Sequence, residues 1–186
     1  MTPLIQIENL SKSYGVVRAL EDISFDIRAG EIPAAKTRLD QALEQCGESS
    51  MAFLGPQLYA TLARVQTDPL LQTEMLARGE ATLVRGAVSH NYFVFCDAAI
   101  QVSLGMQNWT QAERYCDMLE LYAQQEPFPW ADFLVSRGRA LRRAGQGETS
   151  AKLLAELQRL RAVAAGSSGS LYLADIDAAL AGLGAV

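Results

Sequence analysis

The chain has 186 residues, enough for one or two domains at ~100–200 residues each. Apolar residues make up 49%, so a packed core can form and wholesale disorder is excluded. With 16 basic and 21 acidic residues the net charge is -5, which gives no general attraction to nucleic acid, and no apolar run reaches the ~18 residues that direct membrane insertion needs. Met1 to Leu10 carries neither the basic start nor the apolar stretch of a signal peptide, so a cytoplasmic location is expected. Three cysteines, Cys46, Cys96 and Cys116, are widely spaced, and His90 is the only histidine. A structural zinc site wants four nitrogen or sulfur ligands, often in two close pairs. No metal and no cofactor are therefore expected, and the thiols read as small buried hydrophobes.

Residues 1–32 read as strands. Ile5 and Ile7 alternate with Gln6 and Glu8, and Ile23, Phe25 and Ile27 alternate with Ser24 and Asp26, the period of a half-buried strand. Gly15 and Gly30 punctuate the segment as turns. From Pro33 onward Ala, Leu, Gln, Glu and Arg dominate, as helix propensity favours. Ala35, Leu39, Leu43 and Cys46 mark one face of a first helix. A second is expected from about Pro56 to Val65. Asp68 before Pro69 is an N-cap followed by proline at the first helical position, and that third helix should run to about Arg85. A fourth spans about Ser89 to Leu104. The fifth opens at Asn108, with Gln111 three residues on, and places Trp109, Ala112, Cys116, Leu119 and Tyr122 on one stripe. The sixth, seventh and eighth are expected at about Trp130–Ala144, Thr149–Ala164 and Ser170–Leu183. Helices four and five, and six and seven, form two helical hairpins whose turns at Gly105 and Gly145 lie one repeat apart. Stacked hairpins of this kind are the signature of an α-solenoid, because no single hairpin can bury its own apolar face.

Two stretches resemble known families. Ile7-Glu8-Asn9-Leu10-Ser11-Lys12-Ser13-Tyr14-Gly15, then Ala19-Leu20, Ile23-Ser24-Phe25-Asp26-Ile27 and Ala29-Gly30-Glu31-Ile32, resemble the opening of an ABC-transporter ATP-binding subunit. The resemblance implies that Tyr14 stacks on the adenine of ATP. The family pattern stops at Ile32. Gly30 to Thr37 is one residue from the phosphate-loop pattern G-x-x-x-x-G-K-[ST], with Ala35 where glycine belongs. A phosphate cradle needs inward-pointing backbone amides; Ala35 adds a Cβ where the backbone must approach phosphate, and Pro33 removes an amide. No LSGGQ-like segment follows. Asp175, at the end of Leu171-Tyr172-Leu173-Ala174, keeps helical company and reads as a surface carboxylate rather than a magnesium ligand. Tyr14 alone would supply ~1–3 kcal/mol of stacking, which corresponds to millimolar affinity or weaker.

Leu39-Asp40-Gln41-Ala42-Leu43, Gly86-Ala87-Val88-Ser89-His90-Asn91, Asn108-Trp109-Thr110-Gln111-Ala112-Glu113-Arg114-Tyr115 and Phe128-Pro129-Trp130-Ala131-Asp132-Phe133 resemble the tetratricopeptide-like C-terminal tail of bacterial adenylate/guanylate cyclase–AAA ATPase signalling proteins. That resemblance, over residues 37–183, implies protein interaction or regulation. It carries over no catalytic residue, since the cyclase and ATPase modules are absent.

The sequence thus predicts a mostly α fold, a tetratricopeptide-like helical hairpin array over 33–186, preceded over 1–32 by an incomplete ABC-ATPase-like strand pair that must dock on the helices or stay mobile. The expected function is non-enzymatic, a module that binds a protein or peptide. One alternative is an ATP-binding fragment lacking a complete phosphate loop. Another is a recombined or truncated gene product without selected function. His90 beside Ser89 suits a cap or surface position, because a catalytic histidine needs a nucleophile and an orienting carboxylate in reach. Nine of the fourteen aromatics fall between Tyr92 and Phe133. Most should fill core; Tyr92, Tyr122 and Trp130 are candidates for a partner-binding groove. Arg137, Arg139, Arg142 and Arg143 read as a solvated basic face, with Arg139 and Arg143 as candidate clamps for an acidic peptide.

Overall fold

The computed structural model describes residues 5–27, 30–87, 90–124, 127–166 and 169–184, with the side chains of 5–7, 14, 17–20, 23, 25–27, 49 and 50 outside the description. The chain separates into two compact units, Met1–Arg38 and Leu39–Val186.

The first unit holds an antiparallel pair, β1 (Ile5–Tyr14) and β2 (Val17–Ile27), around a turn at Gly15 and Val16. Gly15 takes a φ of 59°, a left-handed value that a Cβ resists, so the expected turn forms where glycine stands. The ladder is less regular than simple alternation predicts. Glu8 and Asn9 together oppose Ser24, and Glu21 and Asp22 together oppose Ser11. Both are β-bulges. Asn9 (φ 51°) and Asp22 (φ 47°) are left-handed, a conformation that Asn and Asp tolerate better than other Cβ-bearing residues. The Asn9 amide donates to Ser24 Oγ at 2.9 Å, and the Asp22 amide donates to Ser11 Oγ at 2.9 Å. Each bulge is pinned by the serine facing it.

Eight α-helices follow among the described residues. α1 (Ile32–Gln45) carries the expected apolar stripe, but Ala35, Leu39, Leu43 and Cys46 are only half-buried. α2 (Glu48–Val65) begins eight residues before the expected start. Pro56 lies inside it, buried, rather than at its first turn. A mid-helix proline removes one backbone hydrogen bond, and packing of the Ala60, Leu62 and Ala63 side against the rest of the bundle offsets that loss. α3 (Pro69–Val84) opens as predicted: Asp68 Oδ1 accepts from the Leu70 amide at 2.9 Å, with Pro69 at the first position. α4 (His90–Gly105) and α5 (Trp109–Ala123) form a hairpin, and Asn108 Oδ1 caps α5 by accepting from the Gln111 amide at 3.2 Å. α6 (Pro129–Gly145) and α7 (Ala151–Ala165) follow; Ser150 Oγ caps α7 through the Leu153 amide. A single 3-10 turn, Gly169–Tyr172, leads into α8 (Leu173–Gly184).

Within the second unit α2, α4, α6 and α8 lie each against the next, while α3, α5 and α7 each lie against the two even-numbered helices that flank them. The core runs continuously through them, from Leu76, Leu83 and Phe95 through Ile100, Leu119 and Leu134 to Leu153, Leu157 and Ile176. Close helix approach depends on missing side chains at several points, of which two bring three helices together. A Cβ on Gly79 of α3 would stand 2.6 Å from Phe95 Cε2 of α4 and 3.0 Å from Tyr59 Cβ of α2. A Cβ on Gly138 of α6 would stand 2.7 Å from Cys116 Sγ of α5 and 2.8 Å from Ile100 Cγ2 of α4. Each glycine sits where three helices converge.

Candidate functional site

The even-numbered helices carry the most unusual side chain of the unit. Arg137 on α6 is 1% exposed. The solvated-face expectation fails for this residue because its side of α6 faces α4 and α8, not solvent. A buried guanidinium is costly unless charges and acceptors surround it. Its Nη2 donates to Asp175 Oδ2 of α8 at 2.5 Å, and Nη1 lies 3.8 Å from Asp97 Oδ1 of α4. The guanidinium carbon sits 4.7 Å from the centroid of the Tyr172 ring, a cation–π contact. The Tyr172 hydroxyl donates to Asp97 Oδ2 at 2.9 Å, and Gln101 Nε2 donates to both oxygens of Asp97 at 2.9 Å. Burial, and then the Asp97 charge, push the Tyr172 phenol well above its ordinary pKa, while the Arg137 guanidinium and, less, that of Arg64 on α2 act in the opposite direction. The Nε and Nη1 of Arg137 are buried without a hydrogen-bond partner among the described residues. Asp175 is on a helix, as expected, and 56% exposed, yet it is the main partner of a buried cation.

Sequence reasoning placed Arg137 in a cluster by composition and passed over Asp97, Gln101 and Tyr172. One signal was legible: Arg137 interrupts the stripe Trp130, Leu134, Leu141 at helical spacing, and a charge within an apolar stripe demands partners.

The other candidates divide. Tyr92 of α4 stacks on Tyr122 of α5, with centroids 3.9 Å apart and planes at 7°. Trp130 stacks on Phe133 at 4.7 Å and meets Tyr172 edge-on at 5.6 Å. Phe93 bridges toward both Tyr122 and Phe128. Tyr92, Tyr122 and Trp130 are all half-buried, whereas Phe95, Tyr115 and Phe133 fill core. Arg139 and Arg143 turn instead toward the odd-numbered helices. Arg139 pairs with Glu113, Asp117 and Glu120 of α5 at 2.7–2.8 Å. Arg143 pairs with Glu148 at 2.6 Å and with Glu156 of α7 at 2.8 Å. Of the five groove candidates the structure brings Tyr92 and Tyr122 into contact, and an acidic peptide would have to displace carboxylates already bound to Arg139 and Arg143.

The near-miss phosphate loop is helical from Ile32 onward. The Ile32 amide donates to Gly30 O at 2.9 Å, the Ala35 amide to Glu31 O at 3.0 Å, and Thr37 Oγ1 to Pro33 O at 3.1 Å. Lys36 stands in α1, where backbone amides serve the helix ladder. Tyr14 ends β1, and its side chain lies outside the described residues, as does Ser89. His90 opens α4, exposed, with its ring edge-on to Phe53 at 5.3 Å. Cys96 and Cys116 are buried and Cys46 half-buried. Desolvation pushes the Cys116 thiol up to about 12 and the Cys96 thiol higher still. Among the described residues no three His, Cys, Asp or Glu side chains converge on a metal-sized space, and no helix is long and apolar enough to cross a membrane.

Comparison with known proteins adds one finding. A segment of 34 residues is 56% identical to a "Putative ribose/galactose/methyl galactoside import ATP-binding protein" of Albidiferax ferrireducens. The match spans 18% of this chain and 7% of that protein. No protein-family model matches the chain. No solved structure matches it either.

Proposed function

We propose that the second unit is a tetratricopeptide-like array that binds a protein segment across its even-numbered helices and performs no catalysis. The carrying observation is the packing order, in which α2, α4, α6 and α8 lie side by side while the odd-numbered helices sit between them. Such an order lays Phe93 and Asp97, Trp130 and Arg137, and Tyr172 and Asp175 along one series of neighbours. Half-buried aromatics beside a buried arginine are the residue types on which interfaces concentrate their energy. On this reading the strand pair is an ABC-ATPase-type opening joined to a helical tail of signalling type, and it binds no nucleotide by itself. The 34-residue match covering 7% of its relative supports that origin for the opening. The second reading, an ATP-binding fragment, rests on the same match and is disfavoured by the helical backbone from Ile32 to Thr37.

Two measurements separate these readings. Peptides selected from a random library against the full chain should protect α4 and α6 amides from hydrogen exchange. Selection of none, or protection confined to α5 and α7, overturns the proposal. Titration with ATP should give no dissociation constant tighter than ~1 mM; micromolar binding lost on Tyr14→Ala or Lys36→Ala favours the rival.

A further inference from the structure

A cavity of about 190 Å³ lies between α3, the end of α4 and α5. Leu76 and Met106 give it apolar walls, Glu80, Ser103, Arg114 and Tyr115 give it polar ones, and the exposed Ala77 stands at its mouth. Packing alone does not account for Ser103. It is 1% exposed, and its Oγ has no hydrogen-bond partner among the described residues. A serine inside a helix commonly turns its hydroxyl back to the carbonyl one turn earlier, and a buried hydroxyl left unmatched destabilises the fold. The Ser103 carbonyl is engaged, accepting from the Asn108 amide at 2.8 Å where α4 turns toward α5.

The facing wall is polar but carries no free charge. Arg114 forks onto Glu80, Nη1 to Oε1 and Nη2 to Oε2 at 2.7 Å each, and its Nε donates to Gln111 Oε1 at 2.7 Å. The Tyr115 hydroxyl donates to Glu80 Oε2 at 3.3 Å, so Oε1 is the carboxylate oxygen with a lone pair to spare. An anion would compete with Glu80 for the guanidinium, and a cation with Arg114 for the carboxylate, which leaves uncharged ligands. Glu80 asks for a donor, and the Ser103 hydroxyl offers both a donor and an acceptor. One ligand hydroxyl answers both. The volume sets the rest of the molecule: a dry cavity of ~150 Å³ holds one benzene ring, so the space here is that of one ring with one polar substituent. Leu76 suits the face of such a ring, and the Met106 sulfur suits its edge.

We propose that this cavity binds a phenol, its hydroxyl accepting from Ser103 Oγ and donating to Glu80 while the ring lies against Leu76 and Met106. The site is separate from the peptide-binding reading above, since Ser103 is its one contribution from an even-numbered helix. A phenol comes either as a free small molecule or as the tyrosine of a protein partner, and the same groups recognise both.

The test titrates the full chain with p-cresol, toluene and p-toluate and follows amide chemical shifts. p-Cresol should shift amides around 76–80, 103–106 and 111–115 and bind roughly 5-fold more tightly than toluene, the worth of one net hydrogen bond. p-Toluate should bind more weakly than either. Ser103→Ala should remove the preference for p-cresol and leave toluene binding unchanged, a discrimination that a merely structural serine would not alter. Ala77→Leu, at an exposed position, should abolish binding of both by filling the mouth. A blocked pentapeptide with tyrosine between alanines separates the sources. Binding tighter than that of p-cresol assigns the ring to a partner's tyrosine, weaker binding assigns it to a free phenol, and both uphold the site. No saturable shifts with p-cresol below ~1 mM, a preference that survives Ser103→Ala, or shifts centred on α6 and α8 overturn the proposal.

Discussion

Replacing Gly138 by alanine tests whether the helices of the second unit meet as closely as described. In an exposed helix interior the same change stabilises by ~0.5–1 kcal/mol, because glycine loses the most backbone freedom on folding. At Gly138 the new methyl would stand 2.7 Å from Cys116 Sγ and 2.8 Å from Ile100 Cγ2, both fully packed side chains of neighbouring helices. Overfilling a tight core costs ~1–3 kcal/mol. The loss exceeds the gain, and a net destabilisation of about 1 kcal/mol follows, which lowers Tm by ~2–4 °C in a domain of this size. Gly182 in α8 is the control, since a Cβ there meets nothing within 4 Å. Gly182→Ala should raise Tm. Circular dichroism melts of both single variants, and of Gly138→Ala in a Cys116→Ala background, complete the design. The double variant should lose less than the sum of its parts, because removing Sγ makes room for the methyl. A Tm for Gly138→Ala that rises as far as that of Gly182→Ala would refute the close three-helix contact.

Thiol chemistry reads burial directly. At pH 8 an aromatic disulfide reagent should modify Cys46 of the native chain at once, and Cys96 and Cys116 only at the rate of unfolding, because desolvation holds both buried thiols far above their ordinary range. Immediate titration of all three would contradict the packing of α4 on α5. Acid should weaken the fold through the ion-pair network. Hydrogen bonds from Arg114, Arg139 and Arg143 hold Glu80, Glu120 and Glu148 below the ordinary carboxylate pKa, Glu148 at about 2. A depressed native pKa contributes stability above the unfolded value near 4.5 and loses it as pH falls through the native one. Urea midpoints should therefore be flat from pH 7 to 5 and fall between about 4.5 and 2; a midpoint that rises on acidification would sink the assignment, and Arg139→Gln should flatten part of the fall.

What the sequence determined by itself was local. Asp68-Pro69 and Asn108 with Gln111 announced two helix starts because a cap and the amide it satisfies lie within three residues of each other. The run from Pro33 declared helix because its residue types favour that backbone wherever they pack, and Gly15 declared a hairpin turn because its conformation needs no distant partner. Tertiary structure decided everything that depends on residues far apart in the chain. Pro56 signalled a helix start, and only burial of the same helix against its neighbours let the helix run through it. The serines that pin the bulges at Asn9 and Asp22 come from the opposite strand. Arg137 looked like one of four solvated cations until α8 folded back. Its chief partner lies 38 residues away, and the tyrosine that joins Asp97 to the cluster lies 75 residues from that aspartate. No local pattern specifies such a meeting, because the side of α6 that becomes interior is fixed only when the even-numbered helices stack.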